Sequence, residues 1–158
     1  MLTLSRSNSP RRRVLAVASG GGHWVQLMRL RPAFEGTDIH YATVDPSARA
    51  MVAPATVHLY PDANKDTLLR MVLAALALAV IVIRVRPHVV ISTGAAGGYL
   101  AIRIARLLGA RTVFIDSIAN TRQLSVSGRL AQRVADVVLS QWPGVAAATG
   151  AEYRGAVL

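Results

Sequence analysis

Short apolar runs alternate along this chain with longer helix-like segments, and glycine, proline and Ser/Asp clusters separate them. The runs at 14–18, 39–43, 57–60, 88–92, 112–116 and 137–140 read as six strands. Helices are expected over 23–30, stopped by Pro32, and from a start at Asp45-Pro46-Ser47. Further helices are expected over 67–85, ended by Arg86-Pro87, over 98–108 with Gly109 as C-cap, and through 130–135. This alternation with short connections predicts the α/β class, with a doubly wound, mostly parallel, Rossmann-like sheet. The run 88–92 is continuously apolar, which predicts a central strand covered on both faces. One domain over 13–158 is expected, preceded by a basic, disordered tail over 1–12. Arg11-Arg12-Arg13 before an apolar run superficially resembles a twin-arginine export signal. That run is too short for one, so no cleaved signal is expected.

The segment 71–83 has no polar face. At helical rise it covers about 20 Å, less than the ~30 Å of a hydrocarbon core, so a membrane crossing is not expected. Two readings stay open. The helix is either wholly buried, or rests one side on the sheet and the other in a membrane interface, with Arg70, Arg84 and Arg86 meeting anionic head groups.

Two of the βα junctions are rich in glycine: Ser19-Gly20-Gly21-Gly22-His23 and Ser92-Thr93-Gly94-Ala95-Ala96-Gly97-Gly98. A strand that stops at glycines and restarts as a helix leaves unpaired N–H groups at a positive dipole end, a ready site for phosphate. Two such turns in one small domain point to a diphosphate. His23 stands where the first turn becomes helix, a position that favours a neutral ring able to accept a proton or bond a phosphate-linked sugar. Ser92 and Thr93 offer hydroxyl donors, while Gly94, Gly97 and Gly98 would let a ligand approach the backbone. Asp116 closes a strand at the same sheet edge, as a general base or as an N-cap. Asn120, Arg122 and the 125–129 stretch form a polar loop there, while Asp38, Asp62 and Asp136 read as surface or capping groups. Gly20-x-Gly22-x-x-Val25 is an incomplete dinucleotide fingerprint, with Asp45 roughly where a ribose-binding acid would stand.

Composition narrows the partner. The formal net charge is +10, carried by 17 arginines and one lysine, which implies an anionic partner. Nucleic acid is disfavoured: no binding motif is present, and the eight aromatic residues form no stacking cluster. Cysteine is absent and the four histidines lack ligand spacing, so no disulfide framework or metal site is expected.

Taken in order, Ser19-Gly20-Gly21-Gly22-His23, Ser92-Thr93-Gly94, Asp116-Ser117-Ile118-Ala119, Ser125-Val126-Ser127-Gly128-Arg129, Ala135-Asp136 and Gln141-Trp142-Pro143 resemble a known family. It comprises the acceptor-side subunit of the two-part N-acetylglucosaminyltransferase of dolichol-linked oligosaccharide synthesis and its bacterial capsule and exopolysaccharide counterparts. The resemblance runs over 14–158. It implies the N-terminal half of a GT-B glycosyltransferase split into two polypeptides, peripheral on the cytoplasmic face of the membrane. This half would bind a polyprenyl-diphosphate-linked saccharide, and a nucleotide-sugar-binding subunit would supply the donor; no cofactor is implied. A fused relative, the peptidoglycan glucosaminyltransferase that makes lipid II, turns similar glycine loops to its lipid diphosphate. On this chain they map to Gly20–His23 and Ser92–Gly98. The sequence departs from the family at two points: the N-terminal membrane helix of eukaryotic members is missing, and Asp116 stands where Glu is usual. On this reading His23 and Asp116 are the candidate catalytic residues. Two other readings are a non-catalytic membrane anchor for an active partner and a small dinucleotide-dependent oxidoreductase.

Overall fold

The computed structural model describes residues 10–63 and 67–157. Most of the expected tail, 1–9, and part of the polar segment before the long helix, 64–66, lie outside the described residues. Seven strands form one sheet: β1 Arg13–Val17, β2 Asp38–Thr43, β3 Thr56–Leu59, β4 Val89–Ser92, β5 Arg111–Ile115, β6 Val137–Ser140 and β7 Glu152–Tyr153. Their spatial order is β3-β2-β1-β4-β5-β6-β7, and every pairing is parallel. The helices are α1 Gly22–Arg29, α2 Ala48–Val52, α3 Leu68–Val85, α4 Ala95–Leu107, α5 Val126–Ala131 and α6 Pro143–Thr149. This is the doubly wound α/β sheet that the alternation predicts.

Alternation along β1 divides the core. Val14, Ala16 and Ala18 face a layer with Trp24 and Leu27 of α1, Phe34, and Ala48 and Val52 of α2. Leu15 and Val17 face the other layer, with Leu78 and Val82 of α3 and Ala101 and Ile102 of α4. The central place expected for β4 is correct, since it pairs with β1 on one side and β5 on the other.

Three boundaries moved. Helix α4 starts at Ala95, three residues before its expected start, so the second glycine pair lies inside the helix. Pro32 does not end α1, which stops at Arg29; the proline sits instead in a 3-10 turn at Arg31–Phe34. The helix expected through 130–135 is α5, which begins at Val126 under a Ser125 cap and ends at Ala131. Two elements were not foreseen. Helix α6 opens on Pro143 and closes on Gly150 in the left-handed region, and the short edge strand β7 follows it.

Helix α3 excludes one of the two readings of the apolar segment. Ala74, Leu78, Ile81, Val82 and Val85 pack on the domain, whereas Leu69, Val72, Leu73, Leu76, Val80 and Ile83 lie exposed along the opposite stripe. Leu68 is 77% exposed and Leu76 60%. The wholly buried reading is therefore wrong. The length argument also fails, because the helix has 18 residues and is long and apolar enough to cross a membrane by length and composition. What holds it beside the sheet is its packed face.

Candidate acceptor site at the carboxyl edge of the sheet

The parallel register places Val17 opposite Ser92, so the two glycine turns leave neighbouring central strands side by side. Strand β1 connects onward toward β2 and β4 toward β5, in opposite directions across the sheet. The turns thus flank the crevice where the winding reverses, the usual ligand position in such folds.

The turns are joined directly. His23 Nδ1 lies 2.9 Å from the Thr93 carbonyl, and the Thr93 hydroxyl donates to the His23 carbonyl at 2.7 Å. A carbonyl can only accept, so Nδ1 is the donor in this contact and Nε2 is left free of it. The ring is half-buried and packs on Gly94, where a Cβ would come within 2.5 Å of Nδ1. Gly94 also sits at φ +130°, and Ala95 beside it adopts φ +63°, a strained value for a residue with a side chain. Neither α1 nor α4 has a side-chain cap, so the first-turn N–H groups of both helices remain available to an anion.

The candidate residues separate here. Gly20, Gly21 and Gly22 are open: a Cβ would meet nothing within 4 Å at Gly21 and Gly22, and only Val44 at 4.0 Å at Gly20. The ligand-facing roles expected of Ser92, Thr93, Gly97 and Gly98 need correction. Ser92 and Thr93 are fully buried. The Ser92 hydroxyl accepts from Gly94 N–H at 3.2 Å, and the Thr93 hydroxyl is taken by His23. Gly97 is buried against Tyr60, whose ring a Cβ would approach at 2.7 Å, and at Gly98 a Cβ would overlap Ser92 Oγ. Both glycines let α4 settle on its neighbours.

Asp116 is corrected as well. It is 2% exposed, and one carboxylate oxygen accepts from Ser125 N–H at 2.8 Å while the other accepts from the Asn120 amide at 3.2 Å. It neither faces the crevice as a base nor caps a helix; it closes the loop 117–125. Residues without an assigned role complete that lock. The Asp116 carbonyl accepts from the side chains of Gln26 at 3.2 Å and Gln141 at 2.9 Å, and Trp142 donates to the Ile118 carbonyl at 2.7 Å. Two glutamines among apolar neighbours, each followed closely by a strand or helix boundary, were the available signal. Asp45, the candidate ribose-binding acid, instead accepts from Ser47 N–H at 2.9 Å and so turns the chain after β2. Asp136 is more than a surface group: it receives both the N–H and hydroxyl of Thr112 and pairs with Arg106 at 2.8 Å.

Comparison with known proteins supplies the family. Residues 61–157 match the model described as oligosaccharide biosynthesis protein Alg14 like. The chain belongs to this family. The match contains the second glycine turn and Asp116 and begins beyond the first turn. The UDP-N-acetylglucosamine transferase subunit ALG14 of Eremothecium gossypii is 29% identical over 169 residues, covering 87% of this chain and 75% of that protein. Among solved structures, Acinetobacter baumannii MurG superposes with a TM-score of 0.68 at 15% identity, over 85% of this chain and 43% of its own. A UDP-N-acetylglucosamine 2-epimerase from Rickettsia bellii gives 0.74 at 12% identity, over 93% and 45%. This member of the Alg14-like family therefore has the fold of one Rossmann-like half of a GT-B enzyme, and spans less than half the length of those solved chains.

The fold also explains where the site is not. A cavity of about 880 Å³ lies at the opposite strand edge, lined among others by Arg13, Asp38 and His88. The 3-10 turn at Arg31–Phe34 lines it, and neither glycine turn does. The glycine turns lie at the carboxyl edge instead, with Gly21 and Gly22 exposed.

Proposed function

We propose that this chain is the acceptor-binding, membrane-associated subunit of a two-chain glycosyltransferase, working on a polyprenyl-diphosphate-linked saccharide. The observation that carries the reading is the pair of uncapped helix starts, stitched together by His23 and Thr93 at the reversal of the sheet. First-turn N–H groups of α1 and α4 would hold the diphosphate oxygens. His23 Nε2 takes the proton of the acceptor hydroxyl as its oxygen bonds to the donor's anomeric carbon, and the nucleoside diphosphate leaves with the electrons of the broken bond. The outcome is inversion. Gly20–Gly22 let the ligand reach the backbone, while Ser92, Gly97, Gly98 and Asp116 support the frame.

The nucleotide-sugar site belongs to a partner subunit in this account, and the exposed stripe of α3, flanked by Arg70, Arg84 and Arg86, rests in the cytoplasmic leaflet. The test is transfer by the reconstituted pair. His23→Ala should lower the rate by roughly 10²- to 10⁴-fold with folding intact, and full activity would remove His23 from the chemistry. A partner that transfers at full rate alone would leave this chain the role of an anchor.

A further inference from the structure

Helices α3, α4 and α5 form one layer on the sheet, and none of the three contains an acidic residue, while they carry Arg70, Arg84, Arg103, Arg106 and Arg129. Between α4 and α5 runs a groove of about 590 Å³. Tyr99, Arg103 and Arg106 recur at helical spacing along one wall, and Leu130 and Arg133 stand on the other. Arg106 is held by Asp136, but Arg103 and Arg133 are exposed and form no ion pair among the described residues. Leu107, 80% exposed, and Leu130, half-exposed, also line the groove.

We infer that this groove is a site for the headgroup phosphate of an anionic phospholipid. Two unpaired guanidiniums lining one groove suit a phosphodiester, which accepts their N–H groups in forked pairs. The exposed leucines beside them suit the start of the acyl chains. The apolar stripe of α3 lies on the same outer layer and supplies depth, so the groove would set the rotation of the domain on the bilayer. This inference rests on the membrane-associated reading and adds a lipid-specific site to it, distinct from Arg70, Arg84 and Arg86.

Flotation of the full chain with vesicles separates the two. The vesicles are phosphatidylcholine alone, or phosphatidylcholine with a third phosphatidylglycerol. The variant Arg103→Gln/Arg133→Gln should bind the phosphatidylglycerol-containing vesicles roughly 10- to 30-fold more weakly. A control of equal charge change on other surfaces, Arg12→Gln/Arg154→Gln, should stay within about twofold, and residual binding to neutral vesicles should be equal in all three proteins. Equal loss in the two double variants would overturn the groove site and leave only general charge attraction. Leu76→Ser/Ile83→Ser tests the membrane reading itself and should abolish binding to both vesicles. A wild-type chain that floats with neither would overturn that reading and the groove site together.

Discussion

The two glycine turns look alike in sequence and differ in what their glycines do. In the first, Gly21 and Gly22 have empty space where a Cβ would stand. In the second, Gly94, Gly97 and Gly98 are each pressed against a side chain, His23, Tyr60 and Ser92. In the first turn Gly21 is set by its φ of +64°, and it and Gly22 leave the backbone exposed. The second has its glycines so that α4 can sit on the chain itself. Composition alone cannot separate an open glycine from a packed one, and only the open kind speaks for a ligand.

This contrast breaks most clearly at Gly98. Gly98→Ala forces a methyl group onto a fully buried Ser92, and should cost about 3 kcal/mol, seen as a fall in Tm of roughly 6–12 °C. Gly22→Ala should leave Tm within about 2 °C, since alanine suits the first turn of a helix, yet weaken acceptor use in the reconstituted transferase about tenfold. Equal thermal losses in both variants would erase the distinction.

Asp116 belongs with the second, internal kind of residue. Asp116→Asn keeps the size of the side chain but turns a donor toward Ser125 N–H or the Asn120 amide, and should cost about 2 kcal/mol in urea unfolding. Asp116→Glu should also destabilise, because both carboxylate oxygens already bond the 117–125 loop and an added methylene would push them off Ser125 N–H and the Asn120 amide. In this chain the shorter acid fits its loop, which gives a local reason for Asp where the resembling family has Glu.

The smallest effect concerns the far edge of the sheet. His58 stacks on His40, with 3.2 Å between His40 Nδ1 and His58 Nε2. Burial, then the His40 and Arg84 charges, hold the His58 pKa below its ordinary value. A group lowered on folding stabilises the fold above its unfolded pKa, near 6.5, and loses that contribution as pH falls through the folded value. Thermal melts should therefore show a modest decline below about pH 6.5 that His58→Asn flattens. An unchanged slope would mean that the pair does not titrate with folding.

Much of the architecture was legible because hydrophobic period and breakers determine it. The parallel alternation, the central place of β4 and the long apolar helix all follow from runs bounded by glycine or proline. The position of the two glycine turns was legible too, since both had to emerge at the carboxyl edge. The inward roles of Ser92, Thr93, Gly97, Gly98 and Asp116 were not, because they depend on what lies across from each residue rather than on its neighbours in sequence. Gln26 and Gln141 escaped for the same reason: their partner is a main-chain carbonyl 90 and 25 residues away. The outer stripe of α3 carried no polar residue to mark it, so only packing could tell its two sides apart.

The central claim is that both turns grip one diphosphate. Titration of the ¹⁵N-labelled chain with a short, water-soluble polyprenyl diphosphate tests it most directly. The amides of Gly21 to Trp24 and of Ala95 to Gly97 should shift together along one saturating curve, while those of Arg103 and Arg133 shift little. Shifts confined to one turn, or centred on the α4–α5 groove with both turns silent, would contradict it.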